Sequence, residues 1–191
     1  MHIWLSMFLT VVLTCAAGVT GATDFPRVRV ETSAGVFVVE LDSGRAPLTV
    51  ENFLQYVNDG YYAGTIFHRV INNFVLQGGG YTPNLESKST QPSIPNESGN
   101  GLSNERMTIA MARGNDPHTA DSQFYINLAD NVALDPKATR WGYAVFGRVI
   151  TGFDIIDDIG HRATVSKASF TNLPDVPVII EKMSVVGDET N

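Results

Sequence analysis

Cysteine is almost missing from this chain. Cys15 is the only one, and it falls within an apolar leader, so the rest of the sequence has no disulfide, no thiolate metal site and no cysteine nucleophile. Stability there has to come from packing alone. Clustered positive charge is missing as well: Lys+Arg number 13 against Asp+Glu 20, for a net charge of −7, with no basic run. This argues against nucleic acid as the main partner, because phosphate binding needs grouped Lys and Arg. The signatures of common chemistries do not occur either: there is no G-x-S-x-G elbow, no H-E-x-x-H, no P-loop and no G-x-G-x-x-G. His68, His118 and His161 are far apart and lack metal-ligand spacing, so each reads as a surface or core residue. No pair of carboxylates stands in an apolar setting suited to acid–base work. No metal and no cofactor is expected, and hydrolase, metalloenzyme and dinucleotide-enzyme readings lose support.

Hydrophobic runs long enough to cross a bilayer are also lacking. The apolar run Ile3–Leu13 is too short to span one, and small residues follow it. Thr20-Gly21-Ala22 fits a cleavage site, so residues 1–22 are expected to be a removed signal peptide and 23–191 a single mature domain. The leader has no Lys or Arg before its apolar run, only His2. A lipid anchor on Cys15 ranks second, because Thr14 matches a lipobox poorly. Secretion without stable membrane insertion is the expectation. Hydrophobic residues at 43% and charged residues at 17% are ordinary for a globular domain, and 191 residues allow one full core.

What is present reads mainly as strands. Arg27 to Thr32 alternates polar and apolar, Ser33-Ala34-Gly35 is turn-like, and Val36 to Leu41 resumes the alternation, which predicts a hairpin. The period then changes: Val50, Phe53, Leu54 and Val57 share one helical face, with Thr49 as the expected N-cap and Gly60 as the stop. Thr82 to Met107 is rich in Ser, Asn, Pro and Gly and reads as a long surface loop; Asn96-Glu97-Ser98 within it fits a glycosylation sequon. Strand-like runs return at Thr108–Ala112, Gln123–Leu128, Tyr143–Ile150 and Val178–Val185. A second helix is predicted from Thr151, with Thr151 and Asp154 at capping-box spacing and Phe153, Ile156 and Ile159 as its apolar side. Many short strands with two helices point to a closed sheet plugged by the helices, which leaves no edge to aggregate.

Two polar residues sit where the pattern has little use for them. In "TIFHRVINNFVLQGGGY", Arg69 lies inside one strand-like run and Gln77 closes another before three glycines. On an ideal strand Arg69 and Phe67 point the same way, unless the strand ends or bulges near His68. On the same rule, if Phe124 faces a barrel interior, Gln123 and Tyr125 face outward. From spacing alone, Arg69 is open between a surface ion pair and a functional role.

"FHRVINNFVLQGGG", "TIAMAR", "SQFYINLAD" and "YAVFGRVITGFDIIDDI" resemble the signature blocks of the cyclophilins, which are peptidyl-prolyl cis-trans isomerases, in the same order. The resemblance runs from about Arg27 to Val186, and "IAMAR" and "NLADNVALD" are most similar to the periplasmic bacterial branch. It implies a mainly β fold: a closed eight-stranded antiparallel barrel capped by two α-helices. It implies a monomeric, periplasmic isomerase acting on unfolded or flexible X-Pro polypeptides. By motif, Arg69, Phe74 and Gln77 take the catalytic places. Val75, Ala112, Arg113, Gln123, Tyr125, Leu134 and Tyr143 take the substrate-binding ones. Val75 stands where methionine is common, Arg113 where asparagine is frequent, and Tyr143 where histidine is common. Ala133 replaces an aromatic, usually tryptophan, which argues against tight cyclosporin binding more than against catalysis; Trp141 is near in sequence.

Two other classes compete with the enzyme. A non-catalytic peptide-binding chaperone or scaffold would be expected to lack the arginine or the aromatic seat. A barrel holding an apolar ligand would need interior room, whereas abundant Phe, Ile and Val predict a filled interior.

Overall fold

The computed structural model describes residues 25–187, so the leader 1–22, its cleavage site and Cys15 lie outside the described residues. In chain order the elements are β1 (Arg27–Thr32), β2 (Gly35–Leu41), α1 (Pro47–Asn58), β3 (Thr65–Ile71), β4 (Val75–Gly78), β5 (Thr108–Met111) and β6 (Phe124–Asn127). A 3-10 turn (Val132–Leu134), β7 (Val145–Thr151), α2 (Phe153–Gly160), β8 (Thr164–Lys167), β9 (Phe170–Pro174) and β10 (Ile179–Val186) follow. Alternation in β1 buries Val28 and Val30 and leaves Arg27 and Arg29 outside. The turn to β2 is closed by Thr32, whose hydroxyl accepts from the Ala34 N–H at 3.1 Å and donates to the Gly35 carbonyl at 2.7 Å.

Eight strands close into an antiparallel barrel in the order β1-β10-β3-β4-β6-β5-β7-β2, and the β1–β2 hairpin seals the ring. The interior is filled: Phe37, Phe53, Phe67, Phe124 and Phe146 are at most 1% exposed, which removes the reading of a ligand-holding barrel. Val50, Phe53 and Val57 of α1 and Ile156 and Ile159 of α2 belong to the same core. Among the described residues no helix is long and apolar enough to cross a membrane, and no cluster of His, Cys, Asp or Glu could hold a metal.

Local readings needed correction at both helix starts. Thr49 is not the cap of α1: the helix begins at Pro47, and the N-cap position, Ala46, offers no side-chain hydrogen bond. The cap arrives from the long loop. Glu97 accepts from the N–H of Leu48 at 3.2 Å, and from the N–H and hydroxyl of Thr49 at 2.8 and 2.7 Å. A carboxylate there meets two free N–H groups and the positive end of the helix. Thr151 and Asp154 do not form a capping box. Thr151 ends β7, and α2 starts after Gly152, whose φ of +77° and close approach to the Val36 carbonyl no larger residue would accept. Phe153 is 45% exposed and so leaves the apolar side to Ile156 and Ile159. Gly60, with φ of +66°, does follow the end of α1 as expected.

The long loop is pinned to the barrel. Ser98 and Asn104 in it are buried. Asn96, the sequon residue, donates to the carbonyls of Pro117 and Gly142 at 3.1 Å each, so its amide is committed to holding loops together. The β8–β9 hairpin was not anticipated, because its turn carries Ala168 at φ +53° rather than glycine or asparagine. It covers β3, where Phe170 meets His68 and Tyr81 at ring distances of 5.9 and 4.9 Å.

Candidate active site

Strand register brings the singled-out residues together on the outer wall of the barrel. A bulge between Phe67 and Arg69 sets Phe67 opposite Gly78 and Arg69 opposite Gln77. Gln77 faces Tyr125 on β6, Tyr125 faces Ala110 on β5, and Ala110 faces Val145 on β7. Arg69, Gln77, Tyr125, Ala110 and Val145 thus form one row across adjacent strands. In a regular strand with no bulge at His68, alternation would turn Arg69 to the side of Phe67, whose ring is fully buried in the interior.

The middle of that row is apolar. Val75, Ala110, Tyr125 and Val145 form a buried cluster separate from the barrel core, and Leu102, Phe74, Ala112, Leu134 and Tyr143 pack on it. Above it opens a cleft of about 150 Å³. Its lining comprises the polar pair Arg69 and Gln77, the apolar side chains Phe74, Val75, Tyr125, Leu134 and Tyr143, and the Ala112–Arg113 segment. A wider hollow of about 670 Å³ lies along β2, β7 and the loop near Gly101. Four of its five charged side chains are already paired, Glu40 with Arg148 and Asp42 with Arg45, which leaves only Glu105, so size alone does not mark it as a site.

Within the cleft, the Arg69 guanidinium donates from Nη1 to Gln77 Oε1 at 3.3 Å and lies 5.6 Å from the centroid of Phe74. Gln77 Nε2 donates in turn to Gln123 Oε1 at 3.1 Å. Gln123 does not line the cleft; it stands behind and holds Gln77. The surface ion pair open to Arg69 does not form: among the described residues no carboxylate lies within 4.0 Å of it. The three glycines after Gln77 make room for this packing. A Cβ at Gly78 would lie 2.8 Å from the Phe67 ring and one at Gly80 2.7 Å from Gln123 Cγ, while Gly79 adopts φ of +85°.

A polar network supports the apolar seat from beneath. The Tyr125 hydroxyl donates to Asn104 Oδ1 at 2.7 Å, and the Asn104 backbone and side-chain N–H groups both donate to Asp135 Oδ1 at 2.8 Å. Ser103 Oγ donates to Asp135 Oδ2 at 2.5 Å. Asn131 Nδ2 donates to the carbonyl of Phe74 and to Asn127 Oδ1, each at 2.8 Å. Burial raises the Tyr125 phenol, with Tyr143 and Asp135 adding to the effect, so it stays a neutral donor. Burial also pushes Asp135 up, but the hydrogen bonds from Ser103 and Asn104 and the charge of Arg140 outweigh it and hold the carboxyl below its ordinary value. Asn104 and Ala110 were missed from sequence. A buried loop asparagine has no local signature, and Ala110 matters only through cross-strand pairing.

The residues left outside are equally clear. Ala133 is exposed in the 3-10 turn. Trp141 is 48% exposed and packs on His118 at a ring distance of 5.2 Å, so it does not line the cleft. His118 and His161 are exposed, whereas His68 is buried.

Comparison with known proteins agrees with this geometry. The model of the family "Cyclophilin type peptidyl-prolyl cis-trans isomerase/CLD" matches residues 27–185. The chain is 51% identical to peptidyl-prolyl cis-trans isomerase cyp18 of Streptomyces antibioticus, over 84% of this chain and 98% of that one. It is 43% identical to peptidyl-prolyl cis-trans isomerase A of Dickeya dadantii, over 91% and 92%, and 44% identical to peptidyl-prolyl cis-trans isomerase B of Escherichia coli, over 83% and 98%. A crystal structure of a Cryptosporidium parvum cyclophilin type peptidyl-prolyl cis-trans isomerase superposes with a TM-score of 0.75 at 27% identity, covering 86% of this chain and 99% of that one. A second structure of that protein, in the presence of the dipeptide Ala-Pro, gives a TM-score of 0.74. With the barrel, the bulged arginine and the outer cleft in place, this chain belongs to the cyclophilin-type peptidyl-prolyl cis-trans isomerases.

Proposed function

We propose that the cleft seats the proline of an X-Pro segment while Arg69 stabilises the twisted amide, and that the clients are exported chains whose folding is thereby speeded. Rotation about X–Pro faces a barrier of roughly 18–20 kcal/mol, because amide resonance has to be broken. Uncatalysed exchange takes about tens to hundreds of seconds at 25 °C. In the twisted state the proline nitrogen becomes pyramidal and regains its lone pair. A donor aimed at that lone pair binds the transition state and neither planar form, which is the condition for lowering the barrier. Arg69 suits this role: it is permanently charged, presents donors in a rigid plane, and is aimed by Gln77 and Phe74 with no carboxylate to neutralise it. Gln77 uses its oxygen on Arg69 and one amide hydrogen on Gln123, which leaves one hydrogen for the substrate carbonyl. No bond is made or broken and no proton moves.

The apolar seat holds one side of the imide while the other turns, and Val75 in place of methionine keeps that wall apolar at smaller volume. Action as a monomer in the periplasm rests on the leader 1–22 and on the family resemblance. Weak cyclosporin binding rests on Ala133. The observation that carries the reading is the unpaired Arg69 guanidinium beside that seat. NMR exchange on an Ala-Pro peptide tests it. Arg69→Ala should lower kcat/KM by about a hundredfold or more, with little change in Tm because no ion pair is lost. Near-normal exchange in that variant would refute the assigned role.

A further inference from the structure

Six of the nine arginines pair with a carboxylate: Arg27, Arg29, Arg45, Arg106, Arg148 and Arg162. Arg140 lies on the carbonyls of Ala133 and Asp135. The remaining two, Arg69 and Arg113, both line the cleft, and among the described residues neither has a carboxylate partner. No aspartate or glutamate lines the cleft either. A chain of net charge −7 therefore carries a small window of uncompensated positive charge at its site.

Arg113 is held in one geometry. Its Nε donates to the Gly142 carbonyl at 3.2 Å, Nη1 to the carbonyls of Gly114 and Asn115 at 2.9 and 3.2 Å, and Nη2 to the Trp141 carbonyl at 3.0 Å. The guanidinium carbon lies 4.6 Å from the ring centroid of Tyr143, which also lines the cleft. Carbonyl partners fix the group without cancelling its unit charge, and one Nη2 hydrogen stays uncommitted. A clamp between the 113–115 and 141–142 segments would need only the carbonyl contacts. Stacking on a wall of the proline seat is an addition that such a clamp does not require.

We infer that Arg113 is a specificity determinant: together with Arg69 it makes the cleft favour X-Pro segments that carry an aspartate or glutamate flanking the proline. This rests on the isomerase reading of the cleft. Arg113 is partly exposed, so the preference is modest, about two- to fivefold in kcat/KM. It should fade in 1 M salt, where the Debye length is about 3 Å.

The test uses Ala-Pro peptides in matched pairs, with Glu or Gln either before the alanine or after the proline, and NMR exchange as the assay. The readout is the Glu-to-Gln ratio of kcat/KM. The wild-type ratio should be about two to five in at least one pair and approach one in 1 M NaCl. Arg113→Gln should bring it to about one at low salt, whereas Arg113→Lys, which keeps the charge, should retain most of it. A ratio of one in the wild type overturns the inference. So does a ratio unchanged in Arg113→Gln, even if both rates fall together, because that is the behaviour of a loop clamp alone. Should Arg113→Gln fail to fold, a wild-type ratio that survives 1 M NaCl, or vanishes in Arg113→Lys, overturns it equally. If the wild type accelerates neither peptide of any pair, the isomerase reading itself fails and the inference falls with it.

Discussion

Protonation of His68 should destabilise the fold across a defined acid range. His68 is 5% exposed, sits between Tyr81 and Phe170 at ring distances of 4.7 and 5.9 Å, and has an Nδ1 with no hydrogen-bond partner. Burial lowers its pKa to about 4; the Ile66 backbone works against the shift and the Arg69 charge adds to it. Because the folded value lies below the ordinary 6.5, the unfolded chain binds the extra proton first. The contribution of this residue to stability is therefore whole above about pH 6.5 and is lost as pH falls toward 4. A shift from 6.5 to about 4 gives a loss of about 1.4 kcal/mol by pH 5.5 and about 3 kcal/mol by pH 4. Urea unfolding at pH 7.5, 5.5 and 4.0, on wild type and on His68→Gln, isolates the effect, since the carboxylates are common to both. Wild-type stability should fall by about 3 kcal/mol more than that of the variant between the extremes. Parallel curves, or an NMR titration of the His68 ring near 6.5, would show that its surroundings do not exclude the charged form.

Three further substitutions probe other contacts. Glu97→Ala removes the cap that the loop supplies to α1, and should cost about 2 kcal/mol and lower Tm by about 4–8 °C in calorimetry. Peptide exchange at 25 °C should hardly change, because Glu97 does not line the cleft. Gly80→Ala places a methyl against Gln123, and should loosen the Gln123–Gln77–Arg69 chain and lower kcat/KM about tenfold, while Tm stays near that of wild type. Asp135→Asn should cost about 1.5–3 kcal/mol at pH 6, read from urea unfolding. Because the wild-type carboxyl lies below its ordinary value, that difference should shrink as pH falls below about 4.

The barrel was most legible at its β1–β2 hairpin, where each strand buries one face and period-2 alternation survives; β3 to β6 are buried on both faces and read only as short apolar runs. Val28 and Val30 against Arg27 and Arg29 show the alternation in β1. Helix ends were less legible. A carboxylate from residue 97 can satisfy the N–H groups of residues 48 and 49, so the local search for a capping Ser, Thr, Asp or Asn named the wrong residue. The β8–β9 hairpin escaped notice because its turn lacks glycine and asparagine and β8 is exposed along its whole length, with no apolar alternation to read.

Residue types and their order determined the class of chemistry. With no nucleophile, metal cluster or cofactor loop, what remained was an arginine, a glutamine and aromatics in the order of a family that rotates amide bonds. Their convergence was a tertiary fact. Arg69 reaches the outer wall only through the bulge at His68, it falls in one row with Gln77, Tyr125 and Ala110 only through the register of β3, β4, β6 and β5, and Gln123 supports it through Gln77 only because Gly80 leaves space. Alternation along one strand says which face a side chain takes; pairing between strands, which depends on residues far apart in the chain, decides what it stands beside.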